Sequence, residues 1–329
     1  MHLDDHPISC HQLARMYQMD GSQLQQQYKH HISDYKDWDQ REHAKEWMLF
    51  EKNMGTHISI DETALSNDEL YTVITNKTAK GRKGAIIAMI KGTQADKVIE
   101  VLERISKRLR QRVQEVTLDM AAGMHLIVKR CFPYAHRVVD RFHVQQLASE
   151  AVQEIRIKHR WQAIDEENEQ IALAKKQGIT YVPQLLPNGD SAKQLLARSR
   201  YLLFKHKEHW TYSQKQRAEL MFDRYPAIKF AYNLSMKLTG IFNHCKCKEE
   251  AFKKLALWYN EVEAAGIESF RSVAKSIETH YLTILNYFNN RSTNASAEAF
   301  NAKIKSFRAS ARGVRDINFF LFRLQKIYA

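Results

Sequence analysis

The hydrophobic rhythm of the chain changes twice, and each change marks a different kind of structure. Between residues 7 and 32 the spacing is helical. Ser9 is placed to cap Cys10-His11-Gln12-Leu13-Ala14-Arg15-Met16-Tyr17, and Asp20-Gly21-Ser22 breaks the helix and restarts it. The restarted helix, Gln23 to His30, carries Gln23 and Gln27, side chains able to reach base edges or phosphates. Residues 1–45 therefore read as a small helical unit, either helix-turn-helix-like and DNA-binding or a plain helical hairpin. From Gly55 the period shortens. Strands are predicted over Ile58–Thr63, Leu70–Thr75 and Ala85–Lys91, with turn signals at Ser66-Asn67-Asp68 and Gly81-Arg82-Lys83-Gly84. A helix from about Gln94 to Arg112 follows, with Val98, Val101, Leu102, Ile105 and Leu109 on one face. Next come a strand over Val113–Asp119, a helix over Met124–Cys131 and, after Pro133, a strand over Arg137–Asp140.

Beyond Phe142 the strand signal ends. Residues 144–290 are long amphipathic helical patterns rich in Ala, Gln, Glu, Lys and Leu, with a looser link at Gly178–Asp190. This stretch far exceeds a structureless loop, which seldom passes about 15 residues, so its helices are expected to pack as a body of their own. Three strands, helix, strand, helix, strand is the order of a ribonuclease-H-like core, in which the ends of the first and fourth of those strands lie side by side. The expected fold class is thus α/β: a core over 55–143 and 291–329, interrupted by an all-α insertion over 144–290 and preceded by the small helical unit.

Composition narrows the partners. Of 329 residues 44% are hydrophobic, enough for a sizeable core, and 50 Lys and Arg against 37 Asp and Glu leave a net charge of +13. That excess favours a polyanion, nucleic acid being the commonest. The cysteines Cys10, Cys131, Cys245 and Cys247 make no disulfide framework at this length, and His244-Cys245-Lys246-Cys247 lacks the second pair that a zinc site needs. The start Met1-His2-Leu3-Asp4-Asp5 has no apolar signal segment, and no run approaches the roughly 18 apolar residues of a membrane span. A cytoplasmic protein without membrane contact is expected.

Three isolated carboxylates then stand out. Asp61 closes the run His57-Ile58-Ser59-Ile60, Asp119 closes Val113 to Leu118, and Glu298 opens a basic helical segment, Ala297 to Lys305. An acid at a strand end points into the mouth of a sheet. Two divalent cations about 3.5–4 Å apart can serve an in-line phosphoryl transfer if one carboxylate bridges them and each has a further protein oxygen. Asp61, Asp119 and Glu298 supply that minimum. Each also has a plain alternative: Asp61 as a strand end, with Glu62 facing the other side of the sheet, Asp119 as a helix cap, and Glu298 as a solvated acid. In the last segment Phe300, Ile304, Phe307 and Ala311 follow the spacing of a buried stripe, while Glu298, Asn301, Lys305 and Arg308 fall on another side. Lys303, Arg312, Arg315, Arg323 and Lys326 add charge nearby, making Asn301, Lys305, Arg308 and Arg312 candidate DNA contacts. Asp140 and His143 are candidate accessory groups beside the acids.

These residues resemble the DDE transposases of bacterial insertion sequences, in the branch with a long helical insertion before the last Glu. The likeness is carried by Leu118-Asp119-Met120, by Pro133 to His143, by Thr293 to Lys305, and by Arg308 with the Gly313 turn. The resemblance implies Asp61, Asp119 and Glu298 as catalytic triad and metal ligands, and Mg²⁺ or Mn²⁺ as cofactor. Its implied partner is double-stranded DNA, both element ends and target, bound by a homo-oligomer. It departs at Ala295 and Ala299, where the family pattern has Gly; a need for positive φ at either would strain alanine. Only 60 residues precede Asp61, so end recognition is expected to be either abbreviated or supplied by another polypeptide. Rival expectations are a metal-dependent nuclease that does not join, and a non-catalytic DNA-binding regulator of the element.

The charge pattern makes a measurable prediction. DNA affinity should fall steeply with salt as phosphate contacts release counterions, and Lys305→Ala or Arg308→Ala should each flatten the log–log slope by about one. Titrations across salt concentrations check this. Affinity indifferent to salt would reduce the charge to a solubility feature.

Overall fold

The computed structural model describes residues 2–66, 69–311, 314 and 316–329; Asn67 and Asp68 of the expected turn, and Arg312, Gly313 and Arg315, lie outside them. The chain divides into two compact units, Met1–Asp140 with Asn290–Ala329, and Arg141–Asn289.

The first unit is built on a mixed six-stranded sheet. Its strands are β1 (Trp47–Leu49), β2 (His57–Ser66), β3 (Glu69–Asn76), β4 (Ile86–Lys91), β5 (Glu115–Leu118) and β6 (His136–Val139), in the order β1-β4-β3-β2-β5-β6. The β1–β4, β4–β3 and β3–β2 pairings are antiparallel, whereas β2–β5 and β5–β6 are parallel. Strand β5 lies beside the first part of β2, not beside its end as the element order predicts, because β2 runs on to Ser66, paired there with β3 alone. The arrangement is α/β and consistent with a ribonuclease-H-like core.

Alternation along the strands sends apolar side chains to both faces. Ile58, Ile60, Ile74, Val116 and Leu118 pack with Val98, Leu102, Ile127 and Val128 of the helices Ala95–Glu103 and Ala122–Cys131. Leu65, Val73 and Met89 pack with Phe300, Ile304 and Phe320 of the helices Ala295–Ser310 and Ile317–Tyr328 and with the N-terminal segment. Fully burying one such side chain contributes about 1.5–3 kcal/mol, so the two clusters fix which side each strand residue faces.

Several expectations needed revision. Strand β1 is too short to show alternation. Its outer edge is closed by the Gln40 side-chain amide, which accepts from Leu49 N–H (2.8 Å) and donates to Leu49 C=O (3.1 Å), leaving that edge less open to another chain. The helix expected over 94–112 is two, Ala95–Glu103 and Lys107–Arg110. Ser106 turns extended between them, and Arg110 Nε takes up the Ile105 carbonyl freed by the break (3.1 Å). Arg323 and Lys326, expected to add to the basic surface, are engaged within the unit. Arg323 is buried and donates to the carbonyls of His6 and Ile8, and Lys326 pairs with Asp34. Ala311, placed in the buried stripe by its spacing, is an exposed helix end.

At the N-terminus, Ser9 caps Cys10–Met16 in a capping box with Gln12, and Asp20 caps Gly21–Gln27, which continues as a π-helical turn, Tyr28–Ile32. Gln23 and Gln27 are exposed on that second helix.

The second unit is wholly helical. The helix Arg141–Lys176 packs against Pro226–His244 and Glu268–Leu285, with Lys248–Ala265 completing a core around Trp258, whose Nε1 donates to the Leu234 carbonyl at 2.9 Å. Buried Asp190 pairs with Arg198 and Arg217. Among the described residues no helix is long and apolar enough to cross a membrane.

Trp258→Ala should destabilise this unit by about 3–5 kcal/mol, from lost burial and the cavity left behind. Amide exchange within residues 141–289 should accelerate; unchanged protection there would mean that Trp258 is not central to its core.

Candidate active site

The site is set by strand register. In the parallel pair β2–β5, His57, Ile58 and Ser59 oppose Glu115, Val116 and Thr117. Continued two residues, that register sets Asp61 opposite Asp119. In β5–β6, Leu118 opposes Val139 and the Asp140 N–H donates to the Leu118 carbonyl at 2.9 Å, so Asp140 follows Asp119 in the same row. Matched positions on parallel neighbours share a face. Asp61, Asp119 and Asp140 thus form one row on the face covered by the Ala295–Ser310 helix. Asp119 and Asp140 directly follow β5 and β6, whereas Asp61, expected to close its strand, lies inside β2 because pairing with β3 carries that strand on to Ser66. Asp61 and Asp119 are half-buried and Asp140 is buried.

Each half-buried carboxylate is held locally. Asp61 Oδ1 accepts from the Glu62 N–H (2.9 Å), and Asp119 Oδ1 accepts from the Ala121 N–H (2.8 Å). Asp61 Oδ2 accepts from Asn301 Nδ2 at 2.7 Å, a contact across 240 residues. Asn301 also reaches the Glu62 carbonyl at 3.4 Å and is buried. Sequence spacing had set Asn301 beside Lys305 and Arg308 as a DNA contact; the fold turns its amide to the sheet because the helix lies directly over β2. Glu298, one turn earlier on the same helix, is exposed in its first turn. Lys305 is exposed and Arg308 half-buried. Ala295 and Ala299 lie within the helix and neither has positive φ, so alanine is unstrained at both.

Glu62 is a group the spacing argument set aside. Its carboxyl is raised above the ordinary value by burial first and then by the negative charges of Asp119 and Asp61. Negative charge is therefore concentrated where the middle of β2 meets the end of β5. That donor set, hard carboxylate oxygens in mutual repulsion, suits a divalent cation. Among the described residues no three His, Cys, Asp or Glu side chains converge as a cage; Asp61 and Asp119 occupy facing register positions, and Glu298 projects from the helix that Asn301 ties to Asp61. His143 belongs to the helical unit, where its ring meets Phe142 edge to face.

A second cluster escaped sequence reading. Lys77, just after β3, donates from Nζ to Thr117 Oγ1 (2.7 Å), Ser292 Oγ (2.5 Å) and Glu115 Oε1 (3.4 Å), while Ser292 and Asn290 donate to the same Glu115 carboxylate. Burial pushes the Lys77 ammonium below its ordinary value against the pull of Glu115. Burial also acts to raise the Glu115 carboxyl, but the bond from Ser292, the Lys77 charge and the bond from Asn290 together hold it below the usual carboxylate range. The Asn-rich turn before Glu298 is thus an anchor for that helix. Beside it, a cleft of about 470 Å³ is lined by Lys77, Lys80, Arg291 and Lys303.

A model of the ISL3 family of DDE transposases, described as transposase, matches residues 58–324. The transposase for insertion sequence element IS1001 of Bordetella parapertussis is 21% identical to this chain over 276 residues, 83% of this chain and 61% of that protein. The chain thus spans less than two thirds of the length of that relative.

Removing Lys77 would strand Glu115, whose side chain is 5% exposed. Lys77→Ala should cost about 3–5 kcal/mol, and Lys77→Met with Glu115→Gln should recover much of it. The depressed Glu115 carboxyl makes its contribution complete above the ordinary carboxylate value and lost as pH falls through the lower folded one. Urea midpoints and amide exchange over residues 292–298 report both effects. Equal midpoints for wild type and Lys77→Ala would show that the ion pair anchors nothing.

Proposed function

The chain belongs to the ISL3 family of DDE transposases, and from that premise we propose that it cuts DNA at the ends of an insertion sequence and joins the freed end to target DNA. The observation that carries this reading is the register that aligns Asp61 with Asp119 while Asn301 ties the Glu298 helix to Asp61. Asp61, Asp119 and Glu298 are the proposed ligands of Mg²⁺ or Mn²⁺, with Asp140 as an accessory acid. When bound, such ions polarise the scissile phosphate and lower the pKa of a coordinated water.

The remaining work falls to the protein's own groups. Asn301 and the Glu62 N–H fix both oxygens of Asp61, so that carboxylate is oriented before substrate arrives. Lys305 and Arg308, with Arg312 outside the described residues, are proposed to neutralise backbone phosphates along the helix, and the lysine-lined cleft extends that positive surface. Cleavage is hydrolysis of one strand, which frees a 3′-hydroxyl. Joining is attack of that hydroxyl on a target phosphodiester, with the target's own 3′-oxygen leaving. Both are in-line transfers without a covalent enzyme intermediate, and both depend on positioning and charge stabilisation. Gln23 and Gln27 on the exposed N-terminal helix are proposed to contact the element end, and assembly of several copies on DNA is part of the proposal.

Asp61→Asn, Asp119→Asn and Glu298→Gln should each lower cleavage and joining by about 10³-fold or more, on the order of 4 kcal/mol of transition-state stabilisation, while DNA affinity stays near wild type. Assays on labelled element ends with Mg²⁺ check this. Wild-type turnover in any variant removes that residue from the mechanism. Cutting without joining by the wild type would make the protein a nuclease, and no metal-dependent cutting at all would leave a DNA-binding regulator.

A further inference from the structure

The helical unit carries a groove that the cutting-and-joining chemistry does not use. It has a volume of about 1100 Å³, beyond the roughly 300–1,000 Å³ of pockets for a single small molecule. One wall is a face of the helix Arg141–Lys176, where Phe142, Gln146, Ser149, Gln153 and Arg160 recur at helical spacing; the other walls come from residues 197–206 and from Met236 and Thr239.

Two properties of the lining point to one kind of occupant. The first is aromatic exposure. Trp161 is 61% and Tyr201 68% exposed, and Phe142 and Phe204 are also open to solvent, although large apolar rings gathered on one surface are costly to leave in water. The second is unmatched positive charge. Arg156 is only 5% exposed at the groove floor, where Nε donates to Gln153 Oε1 (2.6 Å) and Nη1 to the Leu196 carbonyl (2.9 Å), and Gln153 in turn donates to the Arg200 carbonyl (3.0 Å). Burial, then the charges of Arg160 and Arg200, push the Arg156 guanidinium below its ordinary value. Among the described residues no ion pair engages Arg156, Arg160 or Arg200. The one carboxylate lining the groove, Glu150, accepts from Gln146 at 2.7 Å.

We propose that this groove binds a DNA strand whose bases are unpaired, with bases stacking on Trp161 and Tyr201 and phosphates meeting Arg156, Arg160 and Arg200. A duplex keeps its base faces stacked inside and offers the rings nothing, whereas every unpaired base has a free π-face. A protein partner with an apolar surface would cover the rings but leave three guanidinium groups desolvated without counter-charge. The choice of DNA as the polyanion rests on the function proposed above. The site itself rests on the rings and the arginines.

The test uses the full-length protein and fluorescence anisotropy with a labelled oligothymidylate and a labelled duplex. Trp161→Ala and Tyr201→Ala should each weaken oligothymidylate binding by about tenfold or more, while duplex affinity stays within about twofold. Trp161→Phe should retain most of the single-strand affinity, and Arg160→Gln should lessen its salt dependence. Because Trp161 is exposed, circular dichroism should be unchanged in its variants. The proposal is overturned if Trp161→Ala binds oligothymidylate as wild type does, if it loses single-strand and duplex affinity equally, or if it changes only the oligomeric state, which would make the groove an interface between copies. Mg²⁺-dependent cleavage of element ends is assayed on the same preparations. Selective loss of oligothymidylate binding in variants of a protein that cuts nothing would sink the transposase reading and leave the groove standing; the reverse pattern would sink the groove alone.

Discussion

The parallel pairing of three short strands is the constraint on which the rest of this molecule depends. β5 and β6 have four residues each, yet their register against β2 decides whether Asp61, Asp119 and Asp140 share a row or scatter over both faces. A slip of one residue in β5 would send Asp119 to the opposite face. What prevents the slip is the unlike chemistry of the two sides. Val116 and Leu118 are buried among aliphatic side chains of the two crossover helices, and Glu115 and Thr117 are engaged by Lys77 on the other face. Exchanging the sides would bury a carboxylate among hydrocarbons, a penalty far above that of losing a ladder hydrogen bond.

The same polar face solves a second problem, the return of Glu298 from far along the chain. Its helix has an apolar stripe of Phe300, Ile304 and Phe307 that packs on the core, and hydrophobic contact alone would set its place only loosely. Two polar tethers define it. Ser292 and Asn290 fasten the turn before the helix to Glu115, and Asn301 fastens its second turn to Asp61. Hydrogen bonds are directional where apolar packing is not, so these contacts set the azimuth from which Glu298 projects. The helical unit has a core of its own around Trp258.

Burying Lys77 with Glu115 has an energetic cost that apolar residues of the same shape would avoid. The return is geometric: one ammonium group gathers β3, β5 and the turn leading to the Glu298 helix at a single point. Burial, and after it the negative charges of Asp119 and Asp61, raise the Glu62 carboxyl, a cost of the same kind.

The sequence by itself determined the kinds of element and their order. Alternation over residues 58–63 and 113–119, helical periodicity beyond 142, and acids at strand ends are local patterns, and local sterics and burial suffice to express them. So the sheet's central strands, the interruption by helices, the Ser9 cap and the helix break at Asp20-Gly21-Ser22 were legible, whereas the run of β2 beyond Asp61 to Ser66 was not. The tertiary structure alone decided what depends on partners distant in sequence. Strand β1 exists because Gln40 and β4 flank three residues with no rhythm of their own. Arg323 reads as surface charge but is buried because the carbonyls of His6 and Ile8 await it. Asn301 reads as a DNA contact but faces Asp61, and Asn290 and Ser292 of the turn before Glu298 became an anchor only when Lys77 and Glu115 arrived beneath them. A side chain's periodicity tells which face of its own element it occupies; what lies opposite that face is set by packing, which the sequence encodes only through the whole chain.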